Sequence, residues 1–280
     1  MTIKTGLAHP GGKVHIVGAG PGSALFLTAA GQVLLSTADV ILYDALIDSD
    51  LLRLAPKTCL QLQVGKRGQQ PSVPQAEINQ LLVHHCQQGK QVVRLKSGDP
   101  ALFGRVASEV QALRAEGCAV EVWPGLSSAI AAPILAGIPL TDPVLSRSVT
   151  IVSAHEPDSL DWDALARSES LVVLMGGRSL PVLVQQLQHF GKPGDTPIAV
   201  IRWGGTVQQQ VWTATLETIV AKTQGERLSP TVMVIGAVVN LRETLELPNF
   251  PAGFSETLSQ PEFDEFSPSA KGLADADSAP

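Results

Sequence analysis

The sequence is short of the residues that staple or metallate small proteins. Its three cysteines, Cys59, Cys86 and Cys118, lie far apart with no C-x-x-C pair. They read as reduced core thiols of a cytoplasmic protein, not as a disulfide frame. The six histidines are scattered, and the adjacent His84 and His85 fall on what reads as an exposed helix face; no metal is expected. Apolar runs such as Val232 to Val239 fall far short of the roughly 20 residues of a membrane helix. The start, Met1-Thr2-Ile3-Lys4-Thr5, lacks the apolar core of a signal peptide. Charge is sparse too: charged residues make up 16 % of the chain, with a net charge of −6. From Glu243 onward eight acids face Lys271 alone, which leaves residues 1–242 at about +1. A neutral body argues against nucleic acid as a partner, while local Arg and Lys clusters can still hold an anionic small molecule.

What is present fits a compact α/β protein. At 280 residues with 44 % hydrophobic content, the chain is long enough for one large or two medium domains. It is organised around Val14 to Thr28, where a β-branched run breaks into Gly18-Ala19-Gly20-Pro21-Gly22 and then into a helix-compatible segment. Closely spaced glycines let the backbone approach a ligand, and a following helix offers free N–H groups. A dinucleotide fingerprint is the obvious comparison, and Val40 to Asp44 supplies a second strand ending in an acid. Ser23 nevertheless stands where the third glycine belongs, and Pro21 removes a donor. Cofactor loop and plain strand-to-helix turn both remain open for this stretch.

Strands expected at 40–44, 61–64, 91–95 and 119–123 alternate with helices at 49–54, 74–88 and 104–116, which implies a mainly parallel sheet covered on both faces. A small-residue helix, 127–136, and an irregular Pro-rich stretch, 137–147, follow. Strands at 149–152, 171–174, 198–201, 208–213 and 231–235, with helices at 180–190 and 217–222, complete a second half. The 208–213 strand alternates polar and apolar, so the second sheet should be mixed. The expected organisation is a flexible lead at 1–12, an N-terminal α/β domain at 13–123, a C-terminal α/β domain at 124–243 and a disordered acidic tail at 244–280.

Besides the glycine loop, Ser97-Gly98-Asp99-Pro100, Gly125-Leu126-Ser127-Ser128 and Met175-Gly176-Gly177 recur at strand ends, the edge where open α/β sheets bind ligands. Each also reads as an Asx-type turn or an N-cap. Asp44 is either a cap or a carboxylate aimed into a cleft; Lys66-Arg67 is either a solvated turn or an anion clamp.

Taken together, VGAGPG, ADVILYDALI, GKRG with Gln75-x-Glu77-Ile78-Asn79 beyond it, VVRLKSGDPALFGR, PGLSSAIAAPILAGIPLT, VVLMG and RWGGTVQQQ resemble the tetrapyrrole methylases, in order from residue 13 to 242. The resemblance implies a homodimer of two α/β domains that holds S-adenosyl-L-methionine in the cleft between them and releases S-adenosyl-L-homocysteine. The pattern is nearest to members that methylate uroporphyrinogen III at C-2 and then C-7, for sirohaem and cobalamin synthesis. On the motif positions it implies Pro21, Ser97, Gly98, Asp99, Leu102, Ser127, Ser128, Met175, Gly204 and Thr231 at the cofactor, Asp44 as proton acceptor and Lys66 as proton donor. Arg67, Arg105, Arg147 and Arg202 are candidates for the substrate's carboxylates.

The chain departs from the family pattern in four places. Ser97 and Val106-Ala107 stand where glycines are usual, Asp142-Pro143 replaces a His-Arg pair, and Ala132-Pro133-Ile134 lacks a tyrosine. Side chains at 106–107 are expected to crowd a close backbone approach. A sibling methylase acting on a later precorrin and a tetrapyrrole- or nucleotide-binding protein without turnover are the alternatives these changes leave.

Overall fold

Alternating β-branched strands and short helices build the first half as expected. The computed structural model describes residues 11–65 and 73–245. Strands β1 (Lys13–Gly18), β2 (Val40–Tyr43), β3 (Leu60–Gln63), β4 (Gln91–Lys96) and β5 (Ala119–Trp123) form one sheet in the order β3-β2-β4-β1-β5. Every pairing in it is parallel. Helices α3 (Gln75–Gln87) and α4 (Val106–Ala115) cover one face, where Ile78, Leu82 and Leu113 pack on Val14, Ile16, Leu42 and Val92. Helices α1 (Ala29–Ser36) and α2 (Ser49–Leu52) cover the other with Leu35 and Leu51 on Val17, Ile41, Val93 and Leu95. Two covered faces explain why these strands read as near-continuous apolar runs.

The second half is a mixed sheet. Strands β6 (Val149–Ser153), β7 (Ser170–Leu174), β8 (Pro197–Arg202), β9 (Gln210–Thr215) and β10 (Thr231–Ile235) run in the order β6-β7-β10-β8-β9. β10 lies antiparallel between β7 and β8, and the half-exposed edge strand β9 lies antiparallel to β8. One face packs on α6 (Trp162–Ala166), α7 (Leu180–His189) and α8 (Ile219–Lys222). The other packs on α5 (Ser128–Leu135), whose Ala129 and Ala132 meet Val172, Ala199, Ile201 and Val234. A last short helix, α9 (Leu241–Leu245), ends the described chain.

One expectation needs correction. The glycine loop does not run straight into a helix. Ala19 N–H donates to Lys96 O at 2.8 Å, and Gly20 and Gly98 exchange backbone hydrogen bonds at 3.2 and 2.9 Å. β1 is thereby carried past the sheet edge as extended chain. After a short 3₁₀ turn at Ala24–Phe26, α1 starts at Ala29, where the Thr28 hydroxyl accepts from Gly31 N–H at 3.1 Å. The first turn of α1 is thus capped from within the chain, away from the glycines. The lead 1–10, Lys66, Arg67 and the acidic tail beyond 245 lie outside the described residues. No helix among the described residues is long and apolar enough to cross a membrane.

Candidate active site

Because the first sheet is parallel throughout, all five of its strands deliver their following loops to one edge. Three glycines close it. A Cβ on Gly125 would sit 2.4 Å from Gly98 O and 2.6 Å from Gly18 Cα, and one on Gly18 would sit 2.5 Å from Gly125 Cα. Only glycine permits this junction of β1, β4 and β5. Asp99 ties it: Oδ2 accepts from Gly125 N–H at 2.9 Å and Oδ1 from Ala101 N–H at 2.7 Å. Ser97 is exposed beside it. Ser127 caps α5, its hydroxyl accepting from Ala129 N–H at 3.2 Å, and Ser128 opens that helix. The Asx-turn and N-cap readings of these loops therefore hold together with their convergence.

The second sheet supplies the facing edge through Met175 after β7 and Trp203-Gly204 after β8. β10 runs the other way, so it contributes its start: Thr231 pairs with Arg202, and its hydroxyl donates to Leu228 O at 2.6 Å. Among the described residues, four non-glycine residues hold positive φ, namely Phe103, Arg105, Met175 and Trp203. All four follow β4, β7 or β8 at these two edges. Backbone strain of this kind costs about 1–3 kcal/mol per residue and gathers where ligands are held. Met175, at φ 58°, is half exposed. Gly204 lets its loop close on α5, since a Cβ there would meet Ala132 Cβ at 2.5 Å.

The two edges touch. A Cβ on Gly205 would sit 3.2 Å from Pro21 Cγ, and one on Gly22 would sit 2.8 Å from Thr206 Cγ2. Leu102, from the loop after β4, packs into the apolar cluster under α5. Pro21, Ser97–Asp99, Leu102, Ser127, Ser128, Met175, Gly204 and Thr231 thereby all lie on the two loop edges, which touch at Pro21 and Gly205 and at Gly22 and Thr206.

On the first wall the charge is concentrated at Asp44. Its Oδ1 accepts from Arg94 Nη2 at 2.5 Å and its Oδ2 from Ser97 N–H at 3.1 Å. Gly65 lies against it, because a Cβ there would fall 2.0 Å from Ala45 N and 2.8 Å from Asp44 Cα. The chain thus passes Asp44 immediately before Lys66. Arg94 reaches back as well: Nε donates to Glu109 Oε1 at 3.0 Å, and Nη1 donates to Leu95 O at 3.2 Å. Lys96 Nζ donates to both oxygens of Glu109, at 2.9 and 3.0 Å, and Gln75 adds a contact to Oε1 at 3.4 Å. Arg94 and Lys96 are 3 % exposed and Glu109 is 0 % exposed. Burial would lower the affinity of Arg94 for its proton, but Asp44 and Glu109 outweigh it and hold the group firmly charged. For Lys96, burial and the neighbouring Arg94 prevail over Glu109 and push the pKa down.

Sequence reasoning missed Arg94, Lys96 and Glu109. Two cations at alternate positions of an otherwise apolar strand point to the same face, and buried charges require partners; that was the available signal. Glu109 gives less away, since on α4 it occupies what looks like an ordinary polar position.

Of the arginines, Arg105 lies exposed at the start of α4 on the cleft edge. Arg147 is not brought there. Its N–H donates to Glu169 Oε2 at 2.7 Å, just before β7 begins, at the opposite end of the strand from Met175. Arg202 ends β8 but is held elsewhere, 5.7 Å over the Trp212 ring with Nη1 donating to Arg227 O at 2.9 Å. The expected crowding at 106–107 does not occur on the packed side: Val106 turns into the cluster beneath α3 and α4, and Ala107 is exposed. Asp142 shapes a turn on the way to β6, accepting from Val144 and Leu145 N–H at 2.8 and 2.9 Å.

Two five-stranded sheets whose loop edges meet at Pro21 and Gly205 and at Gly22 and Thr206, with a carboxylate on the first, make an α/β fold with a candidate small-molecule site between its halves. The chain matches the family model described as Tetrapyrrole (Corrin/Porphyrin) Methylases over residues 13–220. It belongs to that family. The uroporphyrinogen-III C-methyltransferase of Synechococcus elongatus is 53 % identical over 232 residues, covering 83 % of this chain and 96 % of the relative. That of Priestia megaterium is 42 % identical, covering 82 % and 99 %. The chain spans about half the length of relatives named siroheme synthase, such as the Tolumonas auensis protein at 42 % identity and 51 % of its length. Among solved structures, the Thermus thermophilus uroporphyrin-III C-methyl transferase complexed with S-adenyl homocysteine superposes with a TM-score of 0.72 at 36 % identity, covering 82 % of this chain and all of that one.

Proposed function

We propose that this chain catalyses the S-adenosylmethionine-dependent C-methylation of uroporphyrinogen III at C-2 and C-7, giving precorrin-2 for sirohaem and cobalamin synthesis. The observation that carries the reading is the 53 % identity to a uroporphyrinogen-III C-methyltransferase over 96 % of that enzyme's length. Gly18, Gly98 and Gly125 pack backbone against backbone at the ends of β1, β4 and β5, and Ser97, Ser127 and Ser128 carry hydroxyls in the segments that follow β4 and β5. Pro21, Ser97–Asp99, Leu102, Ser127, Ser128, Met175, Gly204 and Thr231 would hold S-adenosylmethionine, which supplies a methyl group on an electrophilic sulfonium.

The chain's own residues do the rest. Holding the two reactants at attack distance supplies much of the rate. Attack by a ring carbon leaves the tetrapyrrole cationic, and Asp44, oriented by Arg94 and the Ser97 N–H, accepts the proton that restores neutrality. Lys66 is the proton donor of this reading: a proton it gives to one ring position is matched by a second lost from another, so each methyl transfer still releases one proton net, and Arg67 and Arg105 take carboxylates of the substrate. Arg147 and Arg202 have no part in this reading, being held away from the cleft or by Trp212. The protein works in the cytoplasm as a homodimer, in line with the family; the exposed Leu126, Ile130 and Ile134 offer apolar surface for a second copy.

The test is anaerobic incubation with S-adenosylmethionine and enzymatically generated uroporphyrinogen III, followed by product mass and absorbance. Two added methyl groups, with turnover about 10²- to 10⁴-fold slower in Asp44→Ala, are expected. Measurable cofactor binding without methylation would overturn the reading.

A further inference from the structure

We propose that Glu109 and Lys96 are positioning residues that set how strongly the Asp44 carboxylate takes up a proton, acting through the shared guanidinium of Arg94. The inference rests on the reading of Asp44 as the base.

Arg94 is divided between two carboxylates: Nη2 serves Asp44 at 2.5 Å and Nε serves Glu109 at 3.0 Å. Whatever one anion draws from that cation is withheld from the other. Glu109 is in turn held by Lys96 at 2.9 Å, so Lys96 decides how hard Glu109 pulls on Arg94. The four groups balance, two positive and two negative, and three of them are sealed from water. Asp44 alone is part-exposed, with 27 % of its side chain accessible. The network therefore has one opening, and it lies at the cleft. Water does not reach the three inner charges, so they are screened from Asp44 less than surface charges would be.

The charged groups facing Asp44 can be named element by element. β4 brings Arg94 and Lys96, and α4 brings Glu109. α3 adds the neutral Gln75 by way of Glu109, and Ser97 contributes only its N–H. Beyond Gly65 the chain enters Lys66 and Arg67, outside the described residues. A base must hold a proton weakly enough to stay open and strongly enough to accept one. Asp44 and Glu109 share the Arg94 guanidinium, and Lys96 holds Glu109 from its other side.

Two near-isosteric variants should then move the reaction in opposite directions. Glu109→Gln gives Arg94 entirely to Asp44: the acid limb of kcat/KM against pH moves down by about half a unit to one unit, and the plateau rate falls. Lys96→Met frees Glu109 to claim Arg94: the acid limb moves up by a similar amount. Binding of S-adenosylhomocysteine and the far-UV circular dichroism spectrum report whether each variant has folded. Opposite displacements in two folded, cofactor-binding variants support the inference, because a purely structural loss lowers activity without moving the limbs apart. Superimposable profiles, or displacements of the same sign, overturn it. Should Glu109→Gln fail to fold, Lys96→Met carries the test alone, and an unmoved or lowered acid limb overturns the inference. Asp44→Asn separates the two readings: if it retains activity, the assignment of the base fails first; if it is inactive while the Glu109 and Lys96 profiles match wild type, only the positioning role fails.

Discussion

β4 and β10 are both the middle strand of a five-stranded sheet, and both are buried over nearly their whole length. They solve the same packing problem with different residues. β10, Thr231-Val-Met-Val-Ile235, is apolar beyond its first residue. β4 carries Arg94 and Lys96 into the core and needs Glu109 from α4 to compensate them. Burying ions costs several kcal/mol each, and their mutual attraction rarely returns more than that. The central strand of the first sheet therefore accepts a stability cost that β10 avoids, and the place where it accepts it is directly behind Asp44. In the proposed reading the labour divides along that contrast: the first sheet would carry the charge used in proton transfer, and the second would contribute shape through Met175 and Trp203, which hold positive φ.

The largest expected effect comes from converting β4 towards the pattern of β10. Glu109→Leu alone leaves Lys96 buried without its carboxylate and should destabilise the fold by roughly 3–5 kcal/mol. Adding Arg94→Met and Lys96→Met to it removes every inner charge together, and stability in urea should return to within about 1 kcal/mol of wild type or exceed it. Methylation should not return with it, because Asp44 then lacks its guanidinium. A triple variant as unstable as the single one would show that the network holds the first half together and that the comparison with β10 is false.

A smaller effect tests the shape-giving side of the cleft. In Gly125→Ala the new methyl group would fall 2.4 Å from Gly98 O, so the β1, β4 and β5 loops must part. We expect the Kd for S-adenosylhomocysteine to rise about tenfold or more, about 1.4 kcal/mol, with the position of the acid limb unchanged. Isothermal titration and the pH profile measure the two quantities separately. A displaced acid limb would mean that the glycine junction and the charge network are one unit.

Much of this arrangement is legible in the sequence, and what is not has physical causes. Strands such as Ala119–Trp123 and Thr231–Ile235 declare themselves because local pattern sets them. The strand-end loops are visible because glycine and serine there have few other uses. The insertion of β10 between β7 and β8 depends on pairing between segments far apart in the chain, which no local pattern encodes. Glu109 is hidden for a related reason: its burial is dictated by Arg94 and Lys96 on another element. Arg147 looks equivalent to Arg105 in the sequence, yet the chain after α5 returns to the opposite end of the second sheet before β6. The glycine loop misleads about α1 because hydrogen bonds from Ala19 and Gly20 to the β4 end keep it extended.

The smallest effect asks whether the ionic cost of the first sheet reaches beyond the network. His15 lies on β1 with 8 % exposure, its Nδ1 3.2 Å from Glu121 Oε2. Burial lowers its pKa below the usual value of 6.5, although Glu121 works in the other direction. Above pH 6.5 the ring is neutral in both folded and unfolded chains and costs nothing. As the pH falls through 6.5 the unfolded chain takes up a proton that the folded one does not, so stability declines and then levels off once the pH is below the native pKa. The urea midpoint of the wild type should therefore be lower at pH 5.5 than at pH 7.5, and the difference should shrink in His15→Gln. An equal or larger difference in His15→Gln would assign the loss to other groups of the first half and leave the imidazole a bystander beside Glu121.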